Sequence, residues 1–314
     1  RFRRNQYGFI FGGPLRRNRT FFFTDWQGTR QQTGIVRIST VPTLAQREGR
    51  FTTPIFDPAN NRQPFPANTI PLSRFDSTAR SLLDRYPVPT SPATANNFRR
   101  TGNELISQDQ FDTRLDHYLG SAHRFFARYA FLRDFSQPIS PLPDGSGNLT
   151  AGIIGDTLTR ADSLAAEHSF TRSATQANQL RFGYTRRGFR RRSLDLPIYD
   201  LTGFQQLGPP ASARADFTTS VTQVLDHYSW FTGRHRLKAG ADIRLQTLDV
   251  LQPAAPLGNF QFAPILTGNS VSSFLLGQVQ QFQIDLQDEV LQPRAKIAEF
   301  FLQDDFRLSS RLSV

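Results

Sequence analysis

At 314 residues the chain is long enough for a large core, yet its hydrophobic content is 38% and its mean hydropathy -0.43. No apolar run approaches the ~20 residues of a spanning helix, so strands are the one route into a bilayer. The absence of cysteine excludes disulfide frameworks, thiol catalysis and cysteine-ligated zinc, and the basic residues behind the net charge of +11, almost all arginine, are scattered along the whole chain, with local clusters only at Arg1 to Arg4 and Arg186 to Arg192, rather than gathered into a nucleic-acid face.

The first predicted element is a hairpin in Asn5 to Arg30. Tyr7, Phe9 and Phe11 fall on one face at period two. After a turn placed on Gly12, Gly13 and Pro14, the residues Phe22, Thr24 and Trp26 repeat the alternation, with Phe21 and Phe23 opposite. So many aromatics on a two-residue period suit a bilayer better than a soluble sheet edge. Residues 30–108 follow as one long connection, rich in proline from Pro42 to Pro92, where regular sheet is not expected. Within it, Phe75, Ala79, Leu82 and Leu83 are spaced for a short amphipathic helix over 73–86.

Period-two alternation then predicts strands at about 109–119, 124–135, 157–170, 176–187, 218–231 and 236–248, besides 5–12 and 20–29. The connections alternate in length. They are short at 14–19, 120–123, 171–175 and 232–235, and long at 30–108, 136–156 and 188–217. Outer-membrane barrels pair short periplasmic turns with long extracellular loops, so the short set is expected inside and the long set outside. In the last quarter a strand at 259–263, a periplasmic turn carrying Ser272 to Gly277 and a strand at 278–287 are expected, then a strand to Phe306 and a turn at 308–311. The interfacial aromatic girdles fall to Tyr7, Trp26, Tyr184, Tyr228 and Trp230.

Few residues suggest chemistry. Asp112, Arg114 and Asp116 share one face of their strand and His117 takes the other, a ladder of alternating charge rather than a catalytic set. The five histidines lack metal-site spacing, and Asp144 to Asn148 reads as a turn rather than half a calcium loop. No catalytic residue, metal site or cofactor is assigned.

The chain resembles, nearly end to end, the barrel region of TonB-dependent outer-membrane receptors of the Oar-like type common in acidobacteria. The resemblance is carried by Asn5, Gly8, Gly12-Gly13-Pro14 with Phe21-Phe22-Phe23, and Val41-Pro42-Thr43 with Arg47, Gly49 and Phe51. Further on it rests on Asp57-Pro58, Asn68, Ile70-Pro71, Tyr86-Pro87, then Phe111, Asp112, Arg114, Asp116-His117. Phe274-Leu275-Leu276-Gly277 and Gln303-Asp304-Asp305-Phe306 complete it. It implies an antiparallel transmembrane β-barrel in the outer membrane of a Gram-negative bacterium, with residues 1–314 supplying about 11 or 12 of about 22 strands. It also implies contact with outer-membrane lipid, and uptake of a scarce extracellular substrate driven by the TonB complex through an N-terminal plug. That plug and the rest of the barrel are expected in other parts of a longer exported chain. The alternatives are a structural or adhesive barrel without transport and a basic soluble β protein binding nucleic acid.

Overall fold

The computed structural model describes residues 1–149 and 155–314. Most of these build one antiparallel sheet of nine long strands: β1 (Phe2–Arg16), β2 (Thr20–Ser39), β5 (Phe98–Leu119), β6 (His123–Gln137), β7 (Asp156–Ser173), β8 (Gln176–Arg192), β10 (Ala215–Thr232), β11 (His235–Leu251) and β14 (Arg294–Phe306). The other elements are short and lie in the long connections. They are α1 (Leu44–Arg47), β3 (Phe56–Asp57), β4 (Gln63–Pro64), α2 (Ser77–Leu83), β9 (Ile198–Leu201), β12 (Asn259–Phe262), α3 (Ser270–Leu275) and β13 (Gln281–Gln283).

Each of the nine strands pairs with the next of the nine along the chain, which is the up-and-down order of a barrel wall. The expected alternation sets the register. Phe9 lies opposite Trp26, Trp26 opposite Phe111, and Phe111 opposite Phe131. The same face continues through Ala127–Ala166, Ala166–Phe182, Phe182–Val224 and Val224–Ile243. It is an apolar belt across the whole sheet, and its rings and aliphatic chains stand in the open. The opposite face carries Gln110, Asp112, Arg128, Glu167, Arg181, Gln223, Asp242 and Arg244, a polar lining. A one-residue slip would exchange the faces, so the burial preference of the belt fixes the register.

Several boundaries differ from the sequence reading, for physical reasons. The strands overrun the expected 9–11 residues of a spanning segment because they extend past the bilayer at the long-loop end, where β2 and β5 stay paired from Thr20–His117 as far as Ser39–Phe98. The connection expected at 30–108 is therefore 40–97. Tyr7, Trp26 and Tyr184 accordingly sit within their strands rather than at the ends, whereas Tyr228 and Trp230 do lie near the short-turn end of β10.

Gly12, Gly13 and Pro14 are not the turn. They lie within β1, opposite Phe23, Phe22 and Phe21, and the chain reverses at Arg17 to Arg19 with Asn18 at φ 60°. A side chain at Gly12 would meet the Phe22 carbonyl at 2.9 Å, so the glycine serves close strand approach. Pro14, which has no N–H for a ladder, is tolerated because β1 is an edge strand of this sheet. The next turn uses Gly120 at φ 66°, the left-handed conformation its type demands.

The largest correction concerns residues 252–293. The two strands expected there do not enter the main sheet, because β11 pairs directly with β14. Instead β12 pairs with β13 and, in parallel, with β9, while the Ser272 to Gly277 segment forms buried helix α3 and its C-cap. With no span between β11 and β14, short turns and long connections still alternate along the wall. The described residues thus contribute nine wall strands, not 11 or 12. The segment expected as a periplasmic turn lies with the long loops.

Candidate functional site

The polar face is built from cross-strand ion pairs. Asp112 and Asp116 on β5 take Arg128 and Arg124 from β6 at 2.5 and 3.3 Å, and Arg114 bonds Asp116 along its own strand at 2.6 Å. The Arg114 guanidinium also lies over the Phe126 ring, 4.3 Å from its centre. Further round, Glu167 holds Arg181 at 2.7 Å, and Arg244 reaches both Asp242 and Glu299. The ladder read from sequence is therefore on the lumen side, and His117 faces outward, where Thr20 Oγ1 lies 2.9 Å from its Nδ1. Carboxylates held by guanidinium groups are acceptors, a lining rather than acid-base pairs.

The remaining motif positions scatter over the wall. Asn5 lies opposite Arg30, and Phe22 joins the outward belt while Phe21 and Phe23 point inward beside Asp116 and Arg114. On β14, Gln303 and Asp305 face the lumen, and Asp304 faces outward with His235 Nδ1 2.6 Å from its carboxylate. Five strands separate β5 from β14, so the motifs form no common site. All of them lie within wall strands.

What the sequence did not reveal is a folded cap. The connections 40–97, 193–214 and 252–293, with Leu142 from the connection after β6, share one hydrophobic core that includes Val41, Ile55, Ile70, Tyr86, Leu201, Val271 and Phe274. The amphipathic spacing around Ser77–Leu83 is realised as α2, capped by Asp76 and burying Ala79 and Leu83. Asn97 is fully buried and bonds both the N–H and the carbonyl of Val41 at 2.9 Å, tying the two ends of the first connection together. Ser146 N–H and hydroxyl donate to Asp144 at 2.9 and 2.8 Å, confirming the turn there, and Arg85 pairs with the same carboxylate.

The cap is fastened to the lumen side of the wall. Arg37 donates to the Ile139 carbonyl, Arg100 to those of Ser140 and Leu142, and Ser39 to the Gln205 side chain. All three donors project from the lumen-facing register of β2 and β5. The Tyr86 hydroxyl donates to the Gln205 carbonyl at 2.8 Å, and burial pushes its phenol pKa up. Asp57, also buried, is held below the usual carboxylate range by the Arg74 guanidinium, whereas burial without a charge partner raises Asp200.

The arginine run 186–192 is split by the pleat. Arg187 and Arg191 take the lumen register; Arg186, Arg190 and Arg192 face outward. Where β8 and β10 meet the cap, a cavity of about 490 Å³ is lined by Arg190, Arg191, Arg192, Arg214, Asp195 and Leu257 among others. Arg191 is fixed by the Ala213 and Ser212 carbonyls at 2.6 and 2.8 Å. The residue run was visible in sequence, but its convergence with Arg214 and the Pro253 to Gly258 segment depends on the cap. Among the described residues no group of His, Asp and Glu is arranged to hold a metal. No helix is long and apolar enough to cross a membrane.

Comparison with known proteins gives a family match over residues 1–314, described as an outer membrane beta barrel domain. Among solved structures, the outer membrane transporter YddB from Escherichia coli aligns with 98% of this chain and 32% of its own, at 11% identity and a TM-score of 0.48. The chain thus spans about a third of that transporter. No curated protein matches the sequence.

Proposed function

Because this chain belongs to the outer membrane beta-barrel domain family over its whole length, we propose that it is the wall and extracellular cap of a TonB-dependent, Oar-like receptor that imports a scarce substrate. The observation that carries the reading is the cap. The long connections fold around one core and are bonded to lumen-side residues Arg37, Ser39 and Arg100, so they turn inward over the polar lining instead of standing free. That arrangement supports a receptor whose ligand meets the cap before the lumen. Its arginine-lined cavity and charged lumen suit an anionic ligand held by hydrogen bonds, with no chemistry performed on it.

β1 and β14 are the two edges of the sheet, and hydrocarbon does not tolerate open edges. Further strands, proposed to come from the same longer polypeptide, complete the barrel, with a plug inside it that contacts TonB. The test compares depletion of dissolved anionic nutrients by cells lacking the full-length receptor with depletion by cells lacking the TonB complex. Import requires that one nutrient be spared by both deletions. Depletion that persists without TonB would leave a structural or adhesive barrel as the better reading.

A further inference from the structure

The outward face carries a second charged feature, which shares Arg190 with the arginine-lined cavity and otherwise lies outside the proposed import route. On the neighbouring strands β6, β7 and β8 the apolar belt is interrupted above Phe131, Leu164 and Tyr184, and the next apolar outward pair is Phe135–Leu158. The next outward positions toward the cap are Arg133 on β6, Asp162 and Arg160 on β7, and Arg186, Gly188 and Arg190 on β8. From the His123–Phe170 pair by the periplasmic turn to the Arg133–Arg160 pair is ten residues (123 to 133). That is ~34 Å along the strand and about 25 Å of height at the usual tilt of ~40°, the thickness of the apolar band. These arginines therefore stand at the headgroup level of the outer leaflet.

Elsewhere at this level outward cations are neutralised. Arg30 makes a two-pronged contact with Asp109 at 2.9 Å, and Arg294 pairs with Asp249 at 2.6 Å. On β6 to β8 the balance differs. Arg190 has Asp216 at 2.9 Å and Arg160 has Asp162 at 3.3 Å, but Arg133 and Arg186 form no ion pair among the described residues. Arg133 and Arg160 are also directly opposite each other, a like-charge pair flanked by Asp109, which lies opposite Arg133 but is already held by Arg30, and by Asp162, which bonds Arg160, so the cations still outnumber the carboxylates. Beside Arg160, the missing side chain of Gly188 opens a groove of about 380 Å³ lined by Arg160, Arg186 and Arg190 together with Asp162 and Asp216, three cations against two carboxylates with Arg186 the unpaired one. Below, an apolar groove descends the same wall past Ala127 and Ala166, flanked by Phe125 and Phe182.

We propose that this patch is a lipid site, seating the phosphate of a phosphorylated glycolipid of the outer leaflet against Arg160, Arg186 and Arg190 while an acyl chain lies on the apolar wall beneath. A phosphate monoester matches the cluster because its charge at neutral pH exceeds one and its oxygens accept several guanidinium donors at once.

The test uses the full-length protein in detergent, titrated with a diphosphorylated glucosamine-disaccharide lipid and followed by native mass spectrometry. Combining Arg160→Gln, Arg186→Gln and Arg190→Gln is expected to weaken binding by about tenfold or more. Asp162→Asn, which removes a competing carboxylate and keeps an acceptor for the Tyr129 hydroxyl, should tighten it. Arg30→Gln, at the same level but already paired, should leave it within about twofold. Heat-modifiable migration of each variant on an unboiled gel checks the fold. The proposal is overturned by undiminished binding in the triple variant. Equal affinity for the dephosphorylated lipid or for phosphatidylglycerol, or displacement by millimolar inorganic phosphate, overturns it as well.

Discussion

Arg128 on β6 reaches across the strand pair to Asp112 on β5, placing its Nη2 2.5 Å and its Nε 3.0 Å from the same carboxylate oxygen. Asp112 is 8% exposed, and the side chain of Arg128 is about half exposed to the lumen. Asp112→Ala therefore strands Arg128 in water rather than in hydrocarbon, at a cost of about 1 kcal/mol. The expected reading is a drop of ~2–4 °C in the temperature at which unboiled full-length protein loses its compact gel mobility. Arg128→Ala should cost less, since Asp112 keeps its contact with Gln110 at 3.2 Å. An unchanged transition in both variants would mean that the lumen ladder contributes nothing to the wall.

Tyr86 supplies a test confined to the cap. Its ring is buried in the shared core and its hydroxyl donates to Gln205, whose backbone N–H in turn donates to the Thr40 carbonyl at 2.8 Å. Tyr86→Phe keeps the packing and leaves a buried carbonyl one donor short, which costs about 1–2 kcal/mol. External protease should then cut the cap several-fold faster while the heat transition of the wall is unmoved. Equal loss in cap and wall would show that the two unfold as one unit.

Two aspartates in the cap should give pH responses of opposite sign. The native pKa of Asp57 is depressed, chiefly by its hydrogen bond from Arg74, so its contribution is complete above the unfolded value of about 3.9 and is lost as pH falls through the native value. Asp200 is raised by burial, so its penalty is absent below about pH 4 and grows as pH rises through its native value. Asp57→Asn should therefore loosen the cap at pH 7 and match wild type in acid. Asp200→Asn should tighten it slightly at pH 7, by about 2 °C or less, and lose that advantage near pH 4. Protease half-lives from about pH 2 to 7, with an acid protease at the low end, measure both, and matching signs would contradict either the Arg74 bond to Asp57 or the desolvation of Asp200.

The wall was legible because each of its residues answers a local question. A period of two, with Phe9, Trp26, Phe111 and Phe131 on one side and Asp112, Arg128 and Asp242 on the other, decides strand, face and register at once. The cap was not legible because its core joins residues far apart in sequence. Val41 meets Asn97, and Phe262 meets Phe274 edge-on at 5.2 Å inside a segment whose short apolar runs resemble strands as much as helix. Gln281 to Gln283 does form a strand, but β13 adds to β12 in the cap rather than to the wall. Gly12 to Pro14 misled for a related reason. Turn chemistry marks close backbone approach as well as reversal, and only the partner strand tells them apart.

The placement of residues 252–293 is open to direct chemical test, because the chain contains no cysteine that would obscure a label. Ile265 is 61% exposed between β12 and α3, on the surface of the cap. Arg17 lies in the three-residue turn between β1 and β2, at the opposite end of the wall. Single substitutions Ile265→Cys and Arg17→Cys leave the core and the belt untouched, so each should fold as wild type. A maleimide too polar to cross the outer membrane should modify the Ile265→Cys protein on intact cells, and the Arg17→Cys protein only after the outer membrane is permeabilised. If Ile265→Cys were instead protected until permeabilisation, α3 would lie in a periplasmic turn. Two further spans would then have to separate β11 from β14, and their direct pairing from His235–Phe306 to Thr247–Arg294 could not stand.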